Sequence, residues 1–178
     1  PLFVQEALQV KMSDQYFLGV TGEIGCGKSS ISDQFVKLGT GAGITVHNID
    51  LDKIGHEILG SLGRPRYVAV RESIAREFGA DVLLADGFIN RKILGDIVFG
   101  DPDKRQALDM IMHDPLMVRL RRELWEKPGL VLLNAALLVE ADLAKLCNNN
   151  VLMVTADRKS QVRRLSEVRG LDIEQTHR

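Results

Sequence analysis

Cysteine is almost missing from this chain: Cys26 and Cys147 are its only two, far apart in the sequence. Two such thiols exclude a disulfide framework and a cysteine-rich zinc site, and they fit a reducing, cytoplasmic setting. An excess of either charge is missing as well. The 23 basic and 24 acidic side chains leave a formal net charge of −1, which supplies no global field for gripping nucleic acid, so any anion site must be local. Long apolar runs are absent too. No stretch approaches the roughly 18–20 residues of a membrane span, and residues 1–14 lack the basic start and long apolar centre of a secretory signal. The expectation is a soluble cytoplasmic protein with small-molecule partners, no nucleic acid and no membrane. What is present is a globular balance of 45% hydrophobic and 26% charged residues in 178, which excludes disorder and suits one compact domain carrying insertions. Oligomeric state is not written in these features.

Short β-branched apolar runs alternate with longer helical patterns, and that order predicts an α/β fold with a parallel sheet covered by helices. The first strand is read at Tyr16–Val20 and runs straight into the glycine-rich stretch Gly22–Gly27. A helix follows from Lys28, with Ile31, Phe35 and Leu38 as an apolar stripe and Gly39 as its stop. A second strand is expected over Ile44–Ile49, ending in Asp50-Leu51-Asp52. Residues 53–127 read as mostly helical, punctuated at Gly60–Pro65, Ala85–Gly87 and Gly100–Pro102. Leu130–Leu133 and Val151–Val154 are continuous apolar runs, as strands buried on both faces require. The Asn148–Asn150 triplet between them reads as a polar turn, and Asp157–Arg178 as a charged helical segment. Trp125 and Phe78 are expected in a core.

Gly22-Glu-Ile-Gly-Cys-Gly-Lys-Ser29 matches G-x-x-x-x-G-K-[ST], and it stands after a strand and before a helix, where that pattern works. Glycines 22, 25 and 27 let the backbone curl so that successive N–H groups point at phosphate oxygens, while the helix start adds partial positive charge. Lys28 is expected on the β and γ phosphates and the Ser29 hydroxyl on Mg²⁺. The ATP site therefore takes in Gly22, Glu23, Ile24, Gly25, Cys26, Gly27, Lys28, Ser29 and Ser30. Cys26, although at a helix start that can lower a thiol pKa, reads as a small side chain at a variable position. A guanine-reading Asn-Lys-x-Asp is missing from the chain, which removes the GTPases. The size and the helical insertion favour a small-metabolite kinase over a motor.

Beyond the phosphate loop, an ordered set of residues resembles the dephospho-CoA kinase family from Phe17 to Arg178. Leu18–Ser30 resembles its L-T-G-G-I-G-S-G-K-S-T, and Ile49-Asp50-Leu51-Asp52 its I-D-A-D. Phe78-Gly79, Asp86-Gly87, Asn90-Arg91, Leu94 and Val98-Phe99 follow the family's landmarks in order, and Leu137-Leu138-Val139-Glu140 resembles P-L-L-F-E. Departures stand beside these matches. His56 replaces a usual Arg, Ala136 a usual Pro, Asp114 is inserted in the L-H-P-like Met112–Pro115, and Arg164–Arg169 matches the R-x-x-x-R-D lid motif only with a register shift.

The resemblance implies a P-loop NTPase three-layer fold with a parallel central sheet, a helical substrate-binding insertion and a short lid. It divides the chain into a nucleotide-binding core (15–52 and 128–156), a helical acceptor domain (53–127) and a lid region (157–178), with residues 1–14 an extension of unknown role. The reaction implied moves the γ-phosphoryl of ATP to the ribose 3′-hydroxyl of dephospho-CoA, with Mg²⁺. Asp52 is then the candidate for orienting the acceptor hydroxyl. Asp50 is its rival, because carboxylates at i and i+2 of an extended segment share a face. A plainer reading makes both acids caps of the next helix. His113, Leu137 and Glu140 are candidates for the acceptor, and Arg164 and Arg169 for closing over ATP. The arginines at 64, 66, 71, 91, 119, 121 and 122 are either pyrophosphate contacts or balanced surface charges. Two alternatives stay open: another P-loop kinase acting on a nucleoside or its monophosphate, and a nucleotide-binding paralogue of weak activity.

Overall fold

The computed structural model describes residues 15–125, 127–136, 138 and 143–169. They fall into two compact units that part between Asp50 and Leu51 and between Trp125 and Glu126.

In the first unit β1 (Gln15–Thr21), β2 (Val46–Asp50), β3 (Gly129–Asn134) and β4 (Val151–Met153) form one parallel sheet in the order β2-β3-β1-β4. The expected α/β class is therefore observed. Parallel neighbours need crossover connections, and α1 (Lys28–Gly41) provides the one between β1 and β2. Val131, Leu132 and Leu133 in the interior strand β3 are all fully buried, which is why that run shows no alternation. Beyond β3, a 3₁₀ turn over Leu143–Cys147 leads to Asn148 and Asn149, whose φ of 50° and 60° make the polar turn before β4. Asparagine tolerates this left-handed region better than other non-glycine residues. The unit's last described helix is α6 (Arg158–Arg169).

Besides β4, an edge strand whose Met153 is 65% exposed rather than a strand buried on both faces, two details of this unit differ from expectation. The apolar stripe of α1 is not its buried face: Leu38 is 71% exposed and Ile31 38%, while Ser32 and Gly39 are buried. Close approach explains the inversion, since a Cβ at Gly39 would lie 2.3 Å from Val46 Cγ2 and 2.9 Å from the Ile44 carbonyl oxygen. Gly39 is thus a packing requirement rather than a stop, and α1 runs two residues past it. The second difference is at β2, which ends at Asp50; Asp52 already lies in the first turn of α2 (Leu51–Gly60). Asp50 and Asp52 therefore do not share a face of one extended segment.

The second unit is helical: α2, α3 (Pro65–Phe78), a 3₁₀ turn over Ala80–Val82, α4 (Arg91–Val98) and α5 (Pro102–Leu124). Its starts follow from sequence. Asn90 Oδ1 accepts the Ile93 N–H at 3.3 Å, Asp101 Oδ1 accepts those of Asp103 and Lys104 at 3.1 and 3.2 Å, and prolines stand at the starts of α3 and α5. Ile74, Val82, Ile89 and Leu94 are the centre of the core, with Phe78 packed on them as expected. Trp125, by contrast, is 65% exposed. Arg71 is not a surface charge. It is buried, with Nε donating to the Gly87 carbonyl at 2.8 Å, Nη1 to those of Ile58 and Leu62 at 3.0 and 2.9 Å, and its guanidinium 4.9 Å from the Phe88 ring centroid. Those carbonyls belong to the last turn of α2, the segment after it and the Asp86-Gly87 turn, so one arginine satisfies carbonyls at two of the three breaks that punctuate the helical unit.

Candidate active site

The glycine-rich loop leaves β1 at its C-terminal end and enters α1 through Gly27, whose φ of 103° only glycine adopts without strain. Gly22 is more constrained still. Its φ is 145°, and a Cβ there would sit 2.1 Å from the Val154 carbonyl oxygen. Lys28 folds back over the loop, its Nζ donating to the carbonyls of Gly22 at 2.7 Å and Glu23 at 3.1 Å. Ser29 and Ser30 stand exposed in the first turn of α1, and Ile24 is 52% exposed at the loop's outer side. Cys26 is buried, its Sγ 3.0 Å from where a Cβ at Gly22 would sit, so the thiol packs inside the loop.

In a parallel sheet the strand ends line up along one edge, where ligands of open α/β sheets bind. Register places Asp50 opposite Asn134, and Asn134 opposite Val20. Asp50 is thus two strands from the base of the loop, roughly 10 Å at the usual inter-strand spacing. Asn134 is itself buried and donates from Nδ2 to Ser32 Oγ at 3.3 Å, while Thr21 Oγ1 donates to the Ala136 carbonyl at 3.0 Å. These bonds tie β1, β3 and α1 together beneath the loop.

α6 packs against the other side of the loop. Arg164 Nη1 donates to the carbonyls of Gly25 at 3.2 Å and Cys26 at 2.9 Å, and Gln161 Nε2 donates to Glu23 Oε2 at 3.0 Å and to the Ala156 carbonyl at 3.1 Å. Gln161 went unnoticed in the sequence, although its spacing of three from Arg164 puts both on one helical face. Asp157 caps this helix: its Oδ1 accepts the Ser160 N–H at 2.9 Å. Hydrogen bonds from the Ser160 hydroxyl and backbone hold its carboxyl below the usual carboxylate value. Burial pushes the Cys147 thiol up to about 11.

The other candidates are distributed. Asp52 is exposed in the first turn of α2, and His113 is exposed on α5 with Nδ1 3.0 Å from Oδ1 of Asp114, the inserted residue. Leu137, Glu140 and the Arg169 side chain lie outside the described residues. Among the described residues no group of three or more His, Cys, Asp or Glu side chains is arranged to hold a metal, and no helix is long and apolar enough to cross a membrane.

Comparison with known proteins adds to this geometry. The family model for dephospho-CoA kinase matches residues 16–178. The dephospho-CoA kinase of Dehalococcoides mccartyi is 39% identical over 163 residues, which cover 89% of this chain and 75% of that protein. That of Streptomyces avermitilis is 39% identical over 157 residues, covering 86% and 70%, and that of Aeromonas hydrophila 35% over 165, covering 90% and 73%. The crystal structure of TT1252 from Thermus thermophilus matches with a TM-score of 0.68 at 26% identity, covering 93% of this chain and 78% of that one.

Proposed function

This chain belongs to the dephospho-CoA kinase family, and from that premise we infer that it moves the γ-phosphoryl group of ATP to the ribose 3′-hydroxyl of dephospho-CoA, giving coenzyme A and ADP. The observation that carries the reading is the finished phosphate loop: Gly22 and Gly27 at positive φ, Lys28 laid across the loop, and Ser29 exposed at the start of α1. Phosphoryl transfer asks little covalent chemistry of a protein, so the residues act by positioning and by neutralising charge. Lys28 exchanges its hold on the Gly22 and Glu23 carbonyls for the β and γ phosphates. Loop N–H groups and the start of α1 hold the remaining oxygens.

The oxygen donors at this edge suit Mg²⁺, which prefers hard ligands and few protein contacts. Ser29 would hold it directly, and Asp50 through water. When bound, Mg²⁺ supplies neutralisation of charge on the β and γ phosphates. Asp52 orients the acceptor hydroxyl and takes its proton, a role supported by the resemblance of Ile49–Asp52 to the family's I-D-A-D. Residues 53–127 bind the acceptor through His113 among others, and Leu137 and Glu140 contact it from beyond that range. Two free, buried thiols, Cys26 and Cys147, fit a reducing cytoplasm.

An ADP-release assay with MgATP tests this directly. Release should depend on dephospho-CoA and give a product heavier by one phosphate. Preference for a nucleoside monophosphate, or release indifferent to the acceptor, overturns the reading.

A further inference from the structure

Arg164 faces the phosphate loop from α6, where an arginine would ordinarily be taken for a nucleotide contact. We propose instead that Arg164 is a positioning residue: it holds the loop, from behind and before any ligand arrives, in the one conformation that receives phosphates.

The argument starts from peptide geometry. In a trans peptide the carbonyl of one residue and the N–H of the next point in opposite directions, so whatever grips a loop's carbonyls also aims its N–H groups. Four loop carbonyls are gripped by cations: Gly22 and Glu23 by Lys28 Nζ, Gly25 and Cys26 by Arg164 Nη1. The N–H groups of Glu23, Ile24, Cys26 and Gly27 are thereby turned away from those cations. That of Cys26 closes a turn onto the Glu23 carbonyl at 3.3 Å, which leaves Glu23, Ile24 and Gly27 to form the concave donor set that binds anions. Lys28 must give up its carbonyls to meet phosphate, whereas Arg164 need not.

The rest of α6 is fitted to the same task. Gln161, 6% exposed, bridges Glu23 Oε2 and the Ala156 carbonyl, anchoring the loop's first half to the segment after β4. A Cβ at Gly25 would lie 3.1 Å from both the Gln161 carbonyl oxygen and Leu165 Cγ, and one at Gly27 3.2 Å from Arg164 Nη1. Two loop glycines thus leave room for α6 as well as for phosphate. The proposal rests on the phosphate-loop reading, and it concerns the ligand-free enzyme.

The test uses the full chain, Arg164→Leu and Arg164→Lys, with inorganic tripolyphosphate as the probe because it lacks a base and a ribose. Amide hydrogen exchange of the loop is followed without ligand, and tripolyphosphate affinity is measured separately. Arg164→Leu should speed ligand-free exchange of the Cys26 N–H, the hydrogen-bonded amide of the loop, and weaken tripolyphosphate and ATP by the same factor, roughly ten- to a hundredfold for a lost charge-assisted bond. Arg164→Lys should recover part of both, since an ammonium can reach a carbonyl. Should Arg164→Leu not fold, Arg164→Lys against wild type carries the same comparison, with a smaller effect in the same direction. Weaker tripolyphosphate binding with unchanged ligand-free exchange overturns the proposal, because Arg164 would then act on phosphate directly. Loss confined to ATP overturns it in favour of a contact to the base. Failure of wild-type enzyme to bind tripolyphosphate overturns the phosphate-loop reading instead, and the exchange comparison, which needs no ligand, still judges Arg164.

Discussion

Lys28 and the two aspartates of Ile49–Asp52 carry the sharpest single-residue consequences. Removing the Lys28 ammonium removes charge that meets charge developing on the phosphates, so Lys28→Ala should fold normally yet lose several kcal/mol of transition-state stabilisation. Steady-state kinetics checks this, and a near wild-type kcat would sink the assignment. Asp52→Asn keeps the side chain's size and one acceptor oxygen but discards the negative charge. MgATP should still bind while transfer to dephospho-CoA falls by roughly 10² to 10⁴, the range of a general base. Asp50 sits at the end of β2 rather than on a helix, so Asp50→Asn should show its larger effect in the Mg²⁺ dependence. Measuring kcat against Mg²⁺ concentration for both variants separates the roles, and the reverse pattern would exchange them.

Among the elements, α1 and α6 make opposite demands on the sequence. Gly39 is buried because α1 lies hard against β2, so Gly39→Ala should destabilise by about 1–3 kcal/mol as overpacking, less the gain of about 1 kcal/mol in helix propensity. Gly41 on the same helix has nothing within 4 Å of a built Cβ, and Gly41→Ala should be neutral or slightly stabilising. Thermal melts of the two variants check the pair, at about 2–4 °C per kcal/mol for a chain of this size. For α6 the cap is exposed and titratable. The carboxyl of Asp157 is held below its usual value by Ser160, so the folded state favours the ionised form. Its contribution is present above the ordinary carboxylate value, about 4, and is lost as pH falls through the lowered one. Asp157→Ala should therefore speed hydrogen exchange in residues 158–166 at pH 7, and the difference from wild type should close as the pH is brought well below 4.

For the protein as a unit of folding, nucleotide binding and stability are linked. A ligand that binds only the folded state adds RT ln(1 + [L]/Kd), about 2.7 kcal/mol at a hundredfold excess over Kd. MgATP should then raise Tm by about 5–10 °C, with a smaller rise when EDTA removes the metal. Calorimetry across a MgATP series checks this; a Tm indifferent to millimolar MgATP would count against nucleotide binding altogether. The phosphate loop's own glycines make the same linkage visible in reverse, since a substitution at Gly22 would set a Cβ against the Val154 carbonyl and cost stability as well as binding.

Local chemistry was legible from residue order alone. The loop from Gly22 to Ser29, the parallel sheet behind it, the helical block with its three breaks, and the family of the chain all follow from patterns a few residues long, because turn glycines, cap residues and buried apolar runs act through nearest neighbours. Residues 50–52 show where such reasoning stops. Extended and helical geometry are both open to Asp50-Leu51-Asp52, and only the end of the β2–β3 register at Asp50 and Asn134 decided that the second carboxylate turns into α2. The burial of Arg71, the reversed face of α1 and the grip of Arg164 on the loop belong to the same class. Arg71 and Arg164 depend on groups brought together from 9 to 139 positions apart and the α1 face on the approach of Gly39 to Val46 of the next strand, and a charged or apolar side chain carries no local mark of which carbonyl or strand will meet it.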